Sequence, residues 1–361
     1  MDKIIQSAIK QAEQLRKPAD AVPWKPDEPH AQVLYEFDAS TGSWKGVSTL
    51  TSTSTSTTSQ TGNGEIKRLA LFSWNIDFML PSTESRMKAG LSELYSRITS
   101  SLQSDTAAVV FLQECLAADL DTIGNTPWVR EKFYRTDIDV SNWASAFYGT
   151  TTLVDKRLLV EKVFRVHFAK TRMERDALFV DVALGQEGEK ERKKIIRFCN
   201  SHLESLVMDP PLRPAQVALA AKYMHGQQEN ERKEGNDSPK IYGALMAGDF
   251  NAIQPFDRTL HAENGLKDAY LELGGKEDSE DGYTWGQQAP TDLRKLFGCS
   301  RMDKVFYCGN VQVRKFERFG QGVEVTDPKE SEEIVNLGFE RAWITDHLGV
   351  FAEIDVVEEG E

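Results

Sequence analysis

Ten strand-length apolar runs punctuate the chain between Arg68 and Val356, and no other feature limits the fold as much. They are Arg68 to Trp74, Ala107 to Leu112, Ala146 to Leu153, Leu158 to Phe168, Ala177 to Leu184, Ile195 to Cys199, Tyr242 to Ala247, Lys304 to Cys308, Val311 to Phe316 and Gly349 to Val356. That number exceeds one small sheet. Two stretches between them change period: Glu84 to Leu102, with Leu91, Leu94, Tyr95, Ile98 and Leu102 at helical spacing, and Leu212 to Gln228. Apolar residues three and four apart predict helices that cover sheet faces. Hairpin-like strand successions mixed with long helices predict an α/β fold, a four-layer sandwich of two mixed β-sheets flanked by helices. Gly185 to Lys194 is a charged interruption between two strands and predicts a hairpin tip.

The first residues follow another pattern. Asp2 to Lys17 repeats Ile4, Ile5, Ala8, Ala12 and Leu15 at helical spacing, and Val33 to Phe37 and Trp44 to Val47 predict short strands around the turn Ala39-Ser40-Thr41-Gly42. Residues 1–47 are therefore expected to form a small appendage. Residues 48–65 are dominated by Ser and Thr and contain Gly-Asn-Gly, a composition that buries too little apolar surface to order, so a linker is expected there. The main domain is expected over residues 66–357, with an acidic tail at residues 358–361.

Hydrophobic residues make up 40% of the 361, enough to fill a substantial core. Cys115, Cys199, Cys299 and Cys308 are widely spaced and form no CxxC pair, which suggests neither a zinc site nor a disulfide framework. A reducing, intracellular setting fits, nuclear and/or cytoplasmic. The chain has no apolar run of about 18 residues and no N-terminal h-region, so neither a membrane span nor a secretory signal is expected. A monomer is expected.

Five polar clusters recur in order, most of them where an apolar run ends. They are Ser73-Trp74-Asn75-Ile76-Asp77, Gln113-Glu114, Ser201-His202-Leu203-Glu204-Ser205, Gly248-Asp249-Phe250-Asn251 and Thr345-Asp346-His347. Together they supply the Asn, His and carboxylate groups of a metal-assisted attack on a phosphodiester, and loops at strand ends are where such groups converge. Glu114 is the first candidate metal ligand, because Mg²⁺ takes one or two carboxylates and leaves the rest of its shell to water and phosphate. Asn75 and Asp249 complete the candidate metal set, with Mn²⁺ as an acceptable substitute. Asp249 can take a proton from attacking water and Asn251 can orient that water or donate to a phosphate oxygen.

His347 is suited to stabilising charge on a pentacovalent phosphorus, with Asp303 in Arg301-Met302-Asp303-Lys304 as the acid that holds its tautomer and Asp346 beside it. His202 offers a second donor to the phosphate. Arg213 and Gln216 share one helix face at i, i+3 spacing and are candidate phosphate contacts, as are Lys170, Arg172 and Arg175. Each group has a blander role open to it, such as a turn, a solvated face or a core histidine. A formal net charge of −13 repels a long polyanion, so a short basic track beside the site and limited contact with duplex are expected.

The joint series Trp74-Asn75, Gln113-Glu114, Ser201-His202, Gly248-Asp249-Phe250-Asn251 and Asp346-His347 resembles the endonuclease/exonuclease/phosphatase superfamily. More narrowly, Trp74 to Asp77, Ser201 to Ser205, Tyr283-Thr284-Trp285 and Arg301 to Lys304 resemble its tyrosyl-DNA phosphodiesterase 2 branch. The resemblance runs from about Ile66 to Val356 and leaves Met1 to Gly64 outside. It implies that Glu114 binds Mg²⁺, Asn75 and His202 surround the scissile phosphate, Asp249 and Asn251 activate and place water, and His347 acts with Asp346 and Asp303. It also implies Trp285 as a groove wall on which a terminal base stacks. The chain departs from that branch at Ile253, where an Arg is usual, and at Leu348, where a Trp is usual.

The expected substrate is a single-stranded 5′ DNA end carrying a tyrosyl or peptide remnant, as in repair of topoisomerase II adducts. The N-terminal segment is a candidate binding region for a protein partner. Two alternatives stay open. One is another superfamily activity on RNA or DNA ends, as in a deadenylase, a 2′,3′-cyclic phosphate phosphatase or an apurinic-site nuclease. The other is a catalytically silent scaffold.

Overall fold

The computed structural model describes residues 10, 14, 16–47, 66–184, 194–227 and 241–357. The expected helix over residues 2–17, apart from residues 10, 14, 16 and 17, lies outside that set, as do the linker at 48–65, the hairpin tip at 185–193 and the tail at 358–361.

Strands follow in the order β1 Pro29–Ala31, β2 Leu34–Asp38, β3 Ser43–Val47, β4 Arg68–Asn75, β5 Thr106–Leu116, β6 Phe133–Arg135, β7 Tyr148–Asp155 and β8 Leu159–His167. They continue with β9 Asp176–Leu184, β10 Lys194–Ser201, β11 Ile241–Asp249, β12 Lys267–Asp268, β13 Asp303–Gly309, β14 Val311–Phe319 and β15 Gly349–Val356. Each of the ten apolar runs overlaps one of these strands. They form a seven-stranded sheet ordered β1-β8-β9-β10-β11-β13-β12 and an eight-stranded sheet ordered β14-β15-β4-β5-β7-β6-β2-β3.

Each sheet contains one parallel pair among antiparallel neighbours: β4 with β5, and β10 with β11. Parallel neighbours need a crossover. Helix Thr83–Ser101 supplies the first and helix Arg213–Met224 lies within the second. Strand alternation then sorts side chains between layers. Leu69, Leu71, Val109 and Phe111 face Val180, Ile196, Phe198 and Leu245 in the inter-sheet core. Phe72, Trp74, Val110 and Leu112 pack instead with Leu91 and Leu94 of the first helix. Phe179, Cys199 and Met246 pack with Val217, Ala221 and Met224 of the second. Three apolar layers separate helix, sheet, sheet and helix, which is the four-layer sandwich.

Residues 29–47 do not form a separate appendage. β1 extends the seven-stranded sheet by pairing with β8, and the β2–β3 hairpin extends the eight-stranded sheet through Tyr35 opposite Arg135. The cause is the availability of open sheet edges, whose unpaired backbone groups take another strand. Leu34 is buried in the inter-sheet core, which fixes the hairpin further. Among the described residues no helix is long and apolar enough to cross a membrane.

Candidate active site

Both parallel pairs end at the same rim of the sandwich, and the polar clusters meet there, beyond the carboxyl ends of the strands where ligands bind in open α/β sheets. Asn75 ends β4 beside Gln113 of β5, Ser201 ends β10, and Asp249 ends β11. The β11–β13 register sets Asp303 opposite Asp249. Ser201 and Asp249 come together because residue 248 is Gly: φ is +150°, and a Cβ would lie 1.8 Å from the Ser201 carbonyl oxygen. Glu114 and Asn251, with φ of 58° and 48°, occupy the left-handed region that non-glycine residues rarely adopt. Such strain concentrates where surrounding structure holds a side chain for function. At Glu114 it coincides with a break in the β5–β7 register that turns the carboxylate out of the sheet.

The side chains converge on one space. Asn75 Nδ2 donates to Asp249 Oδ2 at 3.0 Å, and Asn251 N donates to Asp249 Oδ1 at 2.8 Å. His202 Nε2 lies 3.3 Å from Asp249 Oδ2 and 3.7 Å from Glu114 Oε1. His347 Nε2 lies 3.7 Å from the same Asp249 oxygen, and its Nδ1 is 2.8 Å from Asp303 Oδ2. Glu114 Oε2 accepts from Phe78 N at 3.1 Å. Trp285 Nε1 donates to Asp346 Oδ2 at 2.6 Å. Arg175 Nη1 donates to His202 Nδ1 at 2.6 Å and its Nη2 to Ser205 Oγ at 2.8 Å. Because arginine only donates, His202 Nδ1 is the acceptor, so the proton of a neutral ring sits on Nε2 and faces the site.

The charges divide the roles. Burial disfavours the Asp249 anion, but His347, His202 and the Asn251 N–H outweigh it and hold its pKa well below the usual carboxylate range. Burial also opposes protonation of His347, yet Asp303, Asp249 and Asp346 prevail and raise its pKa well above the ordinary value. Burial and the neighbouring acids Asp346 and Glu114 push the Asp77 carboxyl up to about 8. Acids crowded at this density call for a cation. Glu114 and Asp249 each present a carboxylate oxygen within 4.8 Å of the other and of His202 Nε2, whose buried N–H has no hydrogen-bond partner. This donor set fits a divalent cation, with the two carboxylates as its oxygen ligands.

The sequence candidates divide on the same geometry. Glu114, His202, Asp249, Asn251, Asp303, Asp346 and His347 are brought together. Asn75 is with them: its Oδ1 accepts from Asp77 N at 2.9 Å and its Nδ2 donates to Asp249, so it holds that carboxylate in place. Arg213 is not on a substrate face: it is buried, pairs with Asp257 at 2.8 and 2.7 Å and donates to the carbonyls of Glu204 and Leu206. Gln216 is likewise buried, bonded to Glu204 and to the Lys170 carbonyl. Arg175 is spent on His202 and Ser205, so it is no part of a surface track, whereas Lys170 and Arg172 remain exposed. Trp285 is only 9% exposed, and its indole holds Asp346, which leaves little face for stacking a base.

Tyr148 and Glu204 went unassigned in the sequence. The Arg175 guanidinium lies 5.4 Å from the Tyr148 ring centroid, and Glu204 fastens the Thr171 hydroxyl and the Arg172 N–H. Glu204 carried a signal as a carboxylate inside the cluster of His202; Tyr148 begins a strand and carried none.

Comparison with known proteins bears on the fold and the family. A 5′-tyrosyl-DNA phosphodiesterase of Caenorhabditis briggsae is 27% identical over 243 residues, 67% of this chain and 60% of that protein. The chain thus spans less than two thirds of that relative's length. The crystal structure of truncated Caenorhabditis elegans TDP2 matches with a TM-score of 0.55 at 21% identity, covering 81% of this chain and 99% of that one. That of D. rerio TDP2 complexed with single-strand DNA product matches at 0.54 and 20% identity, covering 80% and 99%. The catalytic domain of human Nocturnin with bound sulfate gives 0.52 at 15% identity, covering 82% and 97%, so the fold is common to enzymes of differing names. Residues 72–347 match the Endonuclease/Exonuclease/phosphatase family, and on that span the chain belongs to it.

Proposed function

We propose that the chain is a Mg²⁺-dependent phosphodiesterase that hydrolyses the bond between a tyrosine phenol and a 5′ DNA phosphate. The observation that carries this reading is the His347–Asp303 pair facing Asp249 and His202 Nε2 across one space, beside Glu114. The similarity to a 5′-tyrosyl-DNA phosphodiesterase supports this choice of substrate, and the related structure with single-strand DNA product supports a strand end as the ligand.

The chain's own groups supply most of the chemistry. His347, kept protonated by three acids, donates from Nε2 to a phosphate oxygen as negative charge builds on it. His202 donates from Nε2, the tautomer imposed by Arg175. Asp249 stays ionised and accepts a hydrogen bond from the attacking water; its low pKa makes it a strong orienter and a weak base. A weak base suffices, because phenolate is a good leaving group and the reaction depends mainly on charge stabilisation. Glu114 and Asp249 would hold Mg²⁺, which when bound would neutralise phosphate charge. Mn²⁺, which takes the same carboxylate and water ligands, would substitute. Exposed Lys170 and Arg172 are the basic residues beside the site that would meet the single strand.

A substrate panel tests the reading: 5′-tyrosyl oligonucleotide, abasic duplex, poly(A) and 2′,3′-cyclic phosphate RNA, each with Mg²⁺ and with chelator. The expected result is Mg²⁺-dependent release of tyrosine with slow turnover of the others. Rapid cleavage of another member with inert tyrosyl DNA overturns it.

A further inference from the structure

Residues 16–32 lie outside the span that matches the family, yet they are built against the loop over residues 140–144 and against the loop over residues 168–174 that leads to Arg175. Lys17 N donates to the Ala144 carbonyl, and Lys17 Nζ donates to the carbonyls of Val140 and Ser141. Trp24 stacks on His167 with centroids 3.9 Å apart. Asp27 bonds to the backbone of His167 and Ala169, and its carbonyl accepts from the Tyr223 hydroxyl. Gln32 donates to Asp137, which with Asp176 encloses the fully buried Arg165 guanidinium. The strap is thereby bolted to a charge cluster that ends at the residue after Arg175.

Its N-terminal end makes the contact that matters most. Arg16 Nε lies 2.8 Å from Glu174 Oε1, and Arg16 Nη2 donates to the Thr171 carbonyl at 3.3 Å. The Thr171 hydroxyl accepts from the backbone N–H groups of Met173 and Arg175 and donates to Glu204. Glu174 is held in the left-handed region with φ of 55°, and the next residue is the arginine that fixes the His202 tautomer. Glu174 serves no role in the chemistry above. Its side chain is buried, its counter-charge comes from an arginine that is half exposed, and it lines a cavity with Tyr148, Arg175 and His202.

We propose that residues 16–32 form a strap belonging to the catalytic apparatus, and that Arg16 is a positioning residue acting through Glu174 and Arg175 on His202. The proposal rests on the phosphodiesterase reading for its kinetic consequence and stands on geometry for its structural one. Burial raises the Glu174 pKa to about 7, against the pull of Arg16 and then Arg175. The charged groups facing it are Arg16 on the strap, Glu204 and His202 on the loop after β10, Tyr148 on β7, and Arg175 and Asp176 on its own segment. The clasp is therefore ionised above about pH 7 and lost below it.

The experiment compares Arg16→Ala, Arg16→Lys and Glu174→Gln in the full chain, by kcat and KM against pH on 5′-tyrosyl oligonucleotide and by hydrogen exchange of residues 168–176. Arg16→Ala is expected to lower kcat by roughly three- to thirtyfold, with KM and Tm little changed. Its kcat inflection near neutrality should move to higher pH, because the cation that favours the Glu174 anion is gone. Arg16→Lys should restore part of the rate, and Glu174→Gln should remove the inflection. An unchanged kcat and pH profile in Arg16→Ala overturns the proposal, as does a rate loss that only tracks a fall in Tm. If the wild-type protein turns over no phosphodiester, the functional reading fails by itself; faster exchange of residues 168–176 in Arg16→Ala then still supports the strap, and unchanged exchange overturns it.

Discussion

The two crossover units of the molecule perform the same construction with different chemistry. In each, a parallel strand pair delivers an acid to the rim and a helix carries in its first turn a buried arginine that gathers the loop carbonyls. Arg86 donates to the carbonyls of Ile76, Leu80, Pro81 and Ile344, and Arg213 to those of Glu204 and Leu206. The carboxylates they support differ. Asp249 is 2% exposed and held by Asn75, Asn251 and two imidazoles, whereas Glu114 is 14% exposed and accepts one hydrogen bond, from Phe78 N. One unit thus fixes an anion and the other offers one, a division that suits a site needing a rigid water-orienting group and an open metal ligand.

The sharpest way to break this comparison is Asp249→Asn, which removes the fixed anion with little change of shape. A rate loss of about 10² to 10⁴ is expected in single-turnover cleavage of tyrosyl oligonucleotide. A wild-type rate would end its assigned role. Next is Arg213→Ala, which strands Asp257 without its partner. Denaturant unfolding should show a loss of about 3–5 kcal/mol, as for other broken buried pairs. The KM for DNA should not move, and a raised KM at preserved stability would restore Arg213 to the substrate face.

Smaller effects separate ligand from orienter. Asn75→Ala should weaken apparent Mg²⁺ affinity or rate by about 10- to 100-fold through loss of its hold on Asp249, measured by Mg²⁺ titration of activity. Glu114→Gln should act more strongly on the Mg²⁺ titration than on the rate at saturating metal; the reverse order would exchange the two roles.

The mildest prediction concerns stability against pH in the seven-stranded half. Burial first, then Arg165, His30 and Lys17, depresses the His167 pKa to about 2 from 6.5. The folded ring is neutral, so below about pH 6.5 the unfolded chain binds one more proton and stability falls by about 1.4 kcal/mol per pH unit. His167→Phe should flatten that slope between pH 6 and 4 in thermal unfolding, and an unchanged slope would place the acid sensitivity elsewhere.

What was legible followed from local rules. Strand and helix periods act over a few residues, so each apolar run from Arg68 to Val356 could be found from its own spacing, and the site acids could be found because they follow buried strands. Asp303 was readable as a candidate acid for His347 in Arg301-Met302-Asp303-Lys304, and the fold pairs the two. Arg213 and Gln216 were misread because i, i+3 spacing shows that two side chains share a face but not whether that face meets solvent or Glu204. Trp285 failed similarly: an aromatic in a loop suits a groove wall and a buried donor equally well.

The sequence alone determined the sandwich, the end of each strand where chemistry is placed, and the acid, amide and imidazole inventory. Tertiary structure alone decided that residues 29–47 complete both sheets, that Arg175 points at His202, and that Glu114 is open while Asp249 is enclosed. The reason is the range of the interactions. Periodicity records which side of its own element a side chain takes, whereas edge pairing, ion pairing and desolvation depend on groups up to hundreds of residues distant that only the closed fold brings together.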